Sequence, residues 1–261
     1  MKNELKNIIE KINIKKDSTL YITGNIFNLG LSSNEVNKFC EIFYKMLKYK
    51  IKNSGNILVP TATLNLINTN KIFDKNTKSY MMGIFSEFIR TRKKSSRSSH
   101  PLWSFSGVGK NINNIFKDIS LSAYGYNSVF ERLLKYKTIF ICFGKPNLSL
   151  GMLHYAEHLV GVPYRFNKEF EIRSKSGSKI VRKKCLLGVR YLSKKIQSDE
   201  NKKLMKYLNN KKVFKKIKFQ KSYIFFCDYE NLVKQMCKII SKRPKIWLKN
   251  ENIKQKEFIK L

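Results

Sequence analysis

The chain has 261 residues, with 53 Lys and Arg against 18 Asp and Glu, a formal net charge of +35. Apolar residues make up 42% of it, including 18 Phe and 13 Tyr, which suffices for a substantial core and excludes a disordered basic tail. No apolar run approaches the roughly eighteen residues of a membrane span, and the five cysteines (Cys40, Cys142, Cys185, Cys227, Cys237) lack any CxxC or metal-ligand spacing, so they read as buried, reduced thiols of a cytoplasmic protein.

The N-terminal stretch MKNELKNIIEKINIKK carries Leu5, Ile8, Ile9 and Ile12 at helical spacing, and its acids and lack of a hydrophobic core argue against a secretion signal. Leu20 to Thr23 reads as a short buried strand, followed by a loop between Gly24 and Gly30. Ser32 and Glu35 form a capping-box pair ahead of a helix with its stripe at Val36, Phe39, Cys40, Phe43 and Leu47. Ile57 to Thr63 is a second strand, with Pro60 near its end or at an edge. A polar loop from Leu64 to Tyr80 leads to the helix MGIFSEFIRT and a basic cluster, Arg90 to Arg97.

Beyond the segment RSSHPLWSFSGVG (Arg97 to Gly109), Ser128 and Glu131 form a second capping pair, and Lys137 to Gly144 is a buried strand. LHYAEHLVGVPYR (Leu153 to Arg165) follows, then a hairpin that turns at Ser176-Gly177 and continues into CLLGVRYL. Asp199 to Asn210 is a charged helix, Lys211 to Lys221 alternates as a strand with a basic outer face, and SYIFFC is a further strand. Asp228 caps a helix with Leu232, Val233, Met236 and Ile240 inward, and residues 242–261 form a basic, frayed tail. Alternating strands and helices with a late hairpin predict an α/β fold: a three-layer sandwich whose central mixed, partly antiparallel sheet is flanked by helices, in one domain over residues 1–261.

Only three histidines are present, His100, His154 and His158. His154 and Glu157 stand three apart, which on a helix puts them on one face. A carboxylate that orients an imidazole makes it a general base, a device worth ~10²–10⁴-fold in rate. His154 and His158 also have the i, i+4 spacing of a metal pair, and HYAEH matches an inverted zinc-protease pattern, but no third ligand is evident, and no metal is expected. In the earlier segment Pro101 fixes the backbone after His100. Ser104, Phe105, Ser106, Gly107 and Gly109 then read as a small-residue loop whose amides could approach an extended ligand or phosphates, although it is neither a Walker nor a Rossmann loop. The positive charge fits either a polyanionic partner or a lysine-rich compositional bias. A basic nucleic-acid-binding protein is the alternative from another class, although no recognition-helix, zinc-finger or RNP-type motif accompanies the charge.

The two segments RSSHPLWSFSGVG and LHYAEHLVGVPYR, in this order and separation, resemble the aminoglycoside 3-N-acetyltransferase family. LYITGNIFNLG, GNILVPTAT, FDKNTKSYMMGIFSEFIRT and DYENLVKQMCKII are similar to further parts of it, so the resemblance spans nearly the whole chain. It implies an antibiotic N-acetyltransferase-like fold and acetyl-CoA-dependent N-acetylation of an amino sugar by direct transfer. His154 would be the base and Glu157 its orienting carboxylate. Ser104, Phe105, Ser106, Gly107 and Gly109 would line the acetyl-CoA site, with Arg97 a further contact and nearby backbone amides steadying the developing oxyanion. From their place in the two segments, Tyr164 and Arg165 are expected to line the substrate site, and His100 to be a local structural or site-lining residue. An acyl-cysteine on Cys142 or Cys185 is not implied. The chain departs from drug-modifying members at Gly151-Met152, where they carry Thr or Ser, and at VRYLSKKIQSDE, where they carry acids. GVPYRFNKEF resembles relatives that acetylate amino sugars for surface polysaccharides. With the charge of +35 this favours a nucleotide-linked or glycan-precursor amino sugar as acceptor, with aminoglycoside acetylation and antibiotic resistance as the alternative. The expected partners are thus small molecules, without specific nucleic acid or a transmembrane segment, and a homodimer is left open.

Overall fold

Period-two side-chain alternation builds the molecule in three layers. The computed structural model describes residues 1–193, 196–254 and 257. In chain order the elements are α1 (Lys2–Lys11), β1 (Thr19–Gly24), α2 (Ser33–Ile51), β2 (Asn56–Pro60), α3 (Ile84–Arg90), β3 (Ser96–Arg97), β4 (Phe105–Gly109), α4 (Ile112–Phe116), α5 (Val129–Arg132), β5 (Thr138–Phe143), α6 (Met152–Val160), β6 (Arg165–Ser176), β7 (Lys179–Arg190), α7 (Lys202–Asn210), β8 (Lys215–Phe219), β9 (Ser222–Asp228) and α8 (Tyr229–Lys242). Seven strands form one sheet in the order β3-β4-β2-β1-β5-β9-β8, and β6 and β7 form a separate two-stranded ribbon. β1 runs parallel to β2 and β5, while the outer pairs are antiparallel. The expected mixed sandwich is therefore present.

Each central strand sends alternate residues to opposite cores. Leu20, Ile22, Ile57, Val59, Ile141 and Phe143 meet α1, α2 and α3 on one side, through Leu5, Phe39, Phe43 and Phe85. Tyr21, Leu58, Phe140 and Cys142 face Phe130, Leu153, Ala156, Leu232 and Met236 of α5, α6 and α8 on the other. Burying one such large apolar side chain contributes about 1.5–3 kcal/mol. The apolar runs of β1 and β5 follow directly, because both faces of a central strand are covered.

The caps are satisfied in different ways. At α2 the box closes, with the Ser32 amide donating to Glu35 Oε2 at 2.9 Å. At α5 the Glu131 amide donates to Ser128 Oγ, but the Glu131 carboxylate reaches one residue further back, accepting from the Asn127 amide. Asp228 caps α8 as expected, accepting from the Asn231 amide at 2.7 Å.

Two sequence expectations need correction. First, the small-residue run is not an open loop. Phe105–Gly109 is strand β4, paired with β2 on one side and with β3 on the other. Its glycines serve packing: a Cβ on Gly107 would lie 2.7 Å from both Ile112 Cδ1 and the Ile57 carbonyl, and Gly109, at φ 146°, abuts the backbone of Gly55 and Asn56. Second, the tail is not frayed as far as residue 254. Ile246, Leu248 and Ile253 are buried, and the Trp247 and Gln197 carbonyls accept from the Asp199 and Lys249 amides. Three apolar side chains at these positions outweigh the surrounding lysines. The end of that expectation, residues 255, 256 and 258–261, lies outside the described residues.

The β6–β7 ribbon, twelve residues per strand, is tied to the body at two heights. Near the sheet, Leu186 exchanges backbone hydrogen bonds with Leu121 and Ala123; further out, Phe73 bonds to Arg173 and Lys175. A small core of Leu66, Phe73, Leu102, Ile172 and Cys185 lies beneath it.

Candidate active site

Helix α6 follows a 3₁₀ turn at Pro146–Leu148 and ends at Gly161, which takes the left-handed conformation (φ 75°) with its amide on the Glu157 carbonyl. The positions that bury Leu153 and Ala156 also bury Glu157, whose side chain is fully inaccessible. An unpaired carboxylate there would cost several kcal/mol, so its partners matter. His154 Nδ1 lies 2.7 Å from Oε2, Arg165 Nε lies 2.7 Å from the same oxygen, and the Tyr164 hydroxyl donates to Oε1 at 2.5 Å. The turn after α6 thus returns a hydroxyl donor and a guanidinium charge to a carboxylate two turns earlier. Tyr164 and Arg165 are held in place by Trp247, which stacks on the Tyr164 ring at 5.6 Å and lies 5.1 Å from the guanidinium. Arg165 also donates to the Gly188 carbonyl.

The electrostatics favour an ionised Glu157 beside a neutral His154. Burial raises the Glu157 pKa, but the Arg165 charge, His154 and the hydrogen bonds outweigh it and hold the carboxyl below its ordinary range. Burial and the Arg165 charge lower the His154 pKa, against the opposing pull of Glu157. An ionised carboxylate only accepts, so the imidazole proton sits on Nδ1 and the Nε2 lone pair is the basic site. The His154 side chain keeps 26% of its surface exposed, enough to meet a ligand.

Around it stand residues that the sequence did not single out. Tyr124 packs edge-on against the His154 ring at 5.4 Å, and Trp103 lies 5.4 Å from Tyr124. Gly151 admits Trp103, Tyr21 and Phe130, which come within 3.4–3.5 Å of where its Cβ would be. The Trp103 indole N–H is buried without an acceptor. Tyr124 and Trp103 come from loops with no periodicity, and only the aromatic interruption of two polar runs marked them.

The other predicted site residues fall in different places. Ser104, Phe105 and Ser106 are buried, and Ser104 Oγ, Ser106 Oγ and Thr61 form a closed hydroxyl cluster. The Phe105 amide donates to Ser98 Oγ, so it is not a free oxyanion donor. Arg97 is caged: Nε donates to Ser104 Oγ, and its terminal nitrogens donate to the carbonyls of Thr61, Asp74 and Thr77. His100 does not line an open site. It is 3% exposed, its Nδ1 accepts from the Leu102 and Trp103 amides, and its Nε2 donates to the Leu121 carbonyl. Burial pushes its pKa down to about 4. Tyr164 is likewise fully buried; it and Arg165 bear on Glu157 rather than forming an open wall.

His158 points outward from α6 and is exposed, and among the described residues no three His, Cys, Asp or Glu side chains gather as metal ligands. Cys142 and Cys185 are buried, each with its thiol pushed up to about 12 by desolvation, which disfavours a thiolate nucleophile at either. No described helix is long and apolar enough to cross a membrane.

A buried carboxylate that orients a partly exposed histidine is an arrangement able to accept a proton from a nucleophile. The family model described as aminoglycoside 3-N-acetyltransferase matches residues 31–241, and the chain belongs to that family of acyltransferases. Among solved structures, AAC-IIIb in a binary complex with CoASH superposes with a TM-score of 0.78 at 15% identity, over 93% of this chain and 97% of that one. AAC-VIa bound to sisomicin gives 0.78 at 15% identity, over 93% and 98%. YokD from Bacillus subtilis gives 0.75 at 17% identity, over 92% and 99%. At these identities the superpositions establish the fold. No curated protein matches the chain by sequence.

Proposed function

We propose that the protein transfers the acetyl group of acetyl-CoA to an amine of an aminoglycoside-type amino sugar, with His154 as general base. The observation that carries this reading is the 2.7 Å contact of His154 Nδ1 with a buried, ionised Glu157, which leaves Nε2 basic and turned to a partly exposed face. Acetyl-CoA supplies an activated thioester. His154 Nε2 accepts the proton as the amine nitrogen bonds to the acyl carbon and the C–S bond breaks, and the same proton then passes to the departing sulfur. Glu157 stabilises the transient imidazolium, and Arg165 and Tyr164 keep that carboxylate ionised and aligned. Family membership and the relatives solved with CoASH and sisomicin support this choice of donor and acceptor class.

A second acceptor reading has its own observation. Glu157 is already neutralised by Arg165, and the chain carries +35, so a polycationic drug gains little attraction here, whereas a nucleotide-linked amino sugar would be drawn in. Thiol release from acetyl-CoA, followed with aminoglycosides and with nucleotide-linked amino sugars, separates the two. Turnover with neither class would overturn the proposed function.

A further inference from the structure

From Asn201 to Cys227 the chain carries nine lysines and no Asp, Glu or Arg. Lysine is scattered over the whole protein, but here the fold gathers it along one edge. Helix α7 leads through Lys211 and Lys212 into β8, the outermost strand of the sheet, which pairs with β9 alone. Lys202 and Lys203 meet Glu200 and Glu251. The other seven lysines are exposed, and among the described residues none of them has a carboxylate within ion-pair distance.

Strand β8 has the two faces that a period of two requires. Ile217 and Phe219 turn to the core beneath α1 and α2. Lys216 and Lys218 take the other face, in register with Phe225 and Tyr223 of β9. There Phe214, Phe225 and Tyr223 form a row of rings, with centroids 6.3 and 6.1 Å apart, that runs from the core margin to the surface. Lys216 Nζ lies 4.8 Å from the Tyr223 ring, and Tyr223 is 38% exposed. The carboxylate of Glu4 reaches the end of β8 from α1, where it accepts from Gln220. Lysine on an edge strand also blocks pairing with another sheet. That role ends with the strand, whereas the run extends to Lys211 and Lys212 before it and Lys221 after it.

The chemistry of this face selects its partner. Lysine is a point charge without the planar fork with which Arg grips bases and phosphates, and a single exposed ring gives no stacking track for a nucleic-acid strand. A lipid surface needs neither. Each lysine near an anionic leaflet strengthens binding about fivefold, and Tyr is a side chain that settles at the level of the headgroups. The face is also placed for use. At the end of β5 the Gly144 amide donates to the Tyr223 carbonyl, and seven residues later Gly151 opens α6. Lys218 and Tyr223 therefore stand at the end of the sheet from which the chain delivers His154.

We infer that the β8 edge docks the protein on an anionic lipid bilayer, with this end of the sheet at the headgroup surface. The docking is read as binding without turnover, so it stands or falls apart from the acyl-transfer reading.

The test is co-sedimentation of the full chain with vesicles of phosphatidylcholine alone and of phosphatidylcholine mixed with phosphatidylglycerol, at low and high salt. One variant combines Lys211→Gln, Lys212→Gln, Lys216→Gln and Lys218→Gln. A second removes as much charge at the opposite edge of the sheet, around β3, β4 and α4, through Lys93→Gln, Lys94→Gln, Lys110→Gln and Lys117→Gln, all exposed positions. Expected is binding of wild type to the anionic vesicles alone, released by salt. The β8 variant should lose roughly 10²-fold or more in partitioning, and the opposite-edge variant only a few-fold. Both variants should keep the far-ultraviolet circular dichroism and the melting temperature of wild type. Equal losses in the two variants would show diffuse attraction without a docking face and overturn the inference, as would wild type that ignores anionic vesicles at low salt. Tighter binding to a single-stranded RNA than to the vesicles, lost in the β8 variant, would give the face to nucleic acid and overturn the lipid assignment.

Discussion

His100 and His154 sit in the two segments that carry the family resemblance, and burial lowers the pKa of both, yet their surroundings differ in kind. Every nitrogen of His100 is used: two backbone amides converge on Nδ1 and Nε2 reaches a carbonyl, so the ring braces three loop positions. His154 has one nitrogen fastened to a carboxylate and leaves the other available. Burial alone therefore does not mark a catalytic histidine. What distinguishes His154 is an ionised acceptor behind the ring together with an unfilled lone pair in front of it.

Replacing each histidine tests this contrast most directly. His154→Ala should lower kcat/KM by ~10²-fold or more, the scale of positioned proton transfer, with little change in fold. His100→Gln, whose amide can both accept from the Trp103 amide and donate to the Leu121 carbonyl, should keep most activity. Comparable losses in the two variants, measured by thiol release, would remove the distinction.

Glu157→Gln comes next in size. It should cut kcat while leaving thermal stability closer to wild type than Glu157→Ala, because Gln preserves a hydrogen-bonding group in a fully buried position. The carboxylate raises the His154 pKa, so its loss should move the acid limb of kcat/KM to lower pH. Arg165→Gln should move that limb the other way, since the Arg165 charge is among the forces that lower the His154 pKa. Arg165→Lys retains the charge and should restore the lower limb. Shifts in the same direction for Glu157→Gln and Arg165→Gln would contradict the electrostatics of the triad.

Much of this architecture was legible in the chain. The continuous apolar run Leu20, Tyr21, Ile22 reads as a buried strand, and the structure divides it between two cores. The His154–Glu157 pair was readable from i, i+3 spacing, because one helix supplies both partners. The rest depends on contacts far apart in sequence. Trp247 supports Tyr164 and Arg165 from a basic stretch that reads as a frayed end, and Arg97 is caged by carbonyls of residues 61 to 77. Ser104 to Gly109 misled for a different reason. Ser and Gly carry little hydrophobic signal, so a strand packed tightly by their small size looks like a loop.

The smallest expected effect is on stability, and it isolates His100 from the His154–Glu157 pair. Its folded pKa of about 4 lies below the ordinary value near 6.5, so the unfolded chain binds its proton first as pH falls. The contribution of neutral His100 to stability is complete above pH 6.5, declines as pH drops, and is lost by about pH 4. Its full size is about 3 kcal/mol, 1.36 kcal/mol for each pH unit of the gap. Glu157 loses its contribution only at still lower pH, because its folded pKa is depressed below the carboxylate range. The His154 pKa is also lowered by burial and the Arg165 charge, so the wild-type curve alone cannot separate the two rings. The difference in unfolding free energy between wild type and His100→Gln can, since only the His100 term changes. That difference should be steepest between pH 4 and 6.5 and flat above it. A difference independent of pH would show that His100 takes up its proton at the same pH in the folded protein as in the unfolded chain, so that its surroundings do not hold the ring neutral.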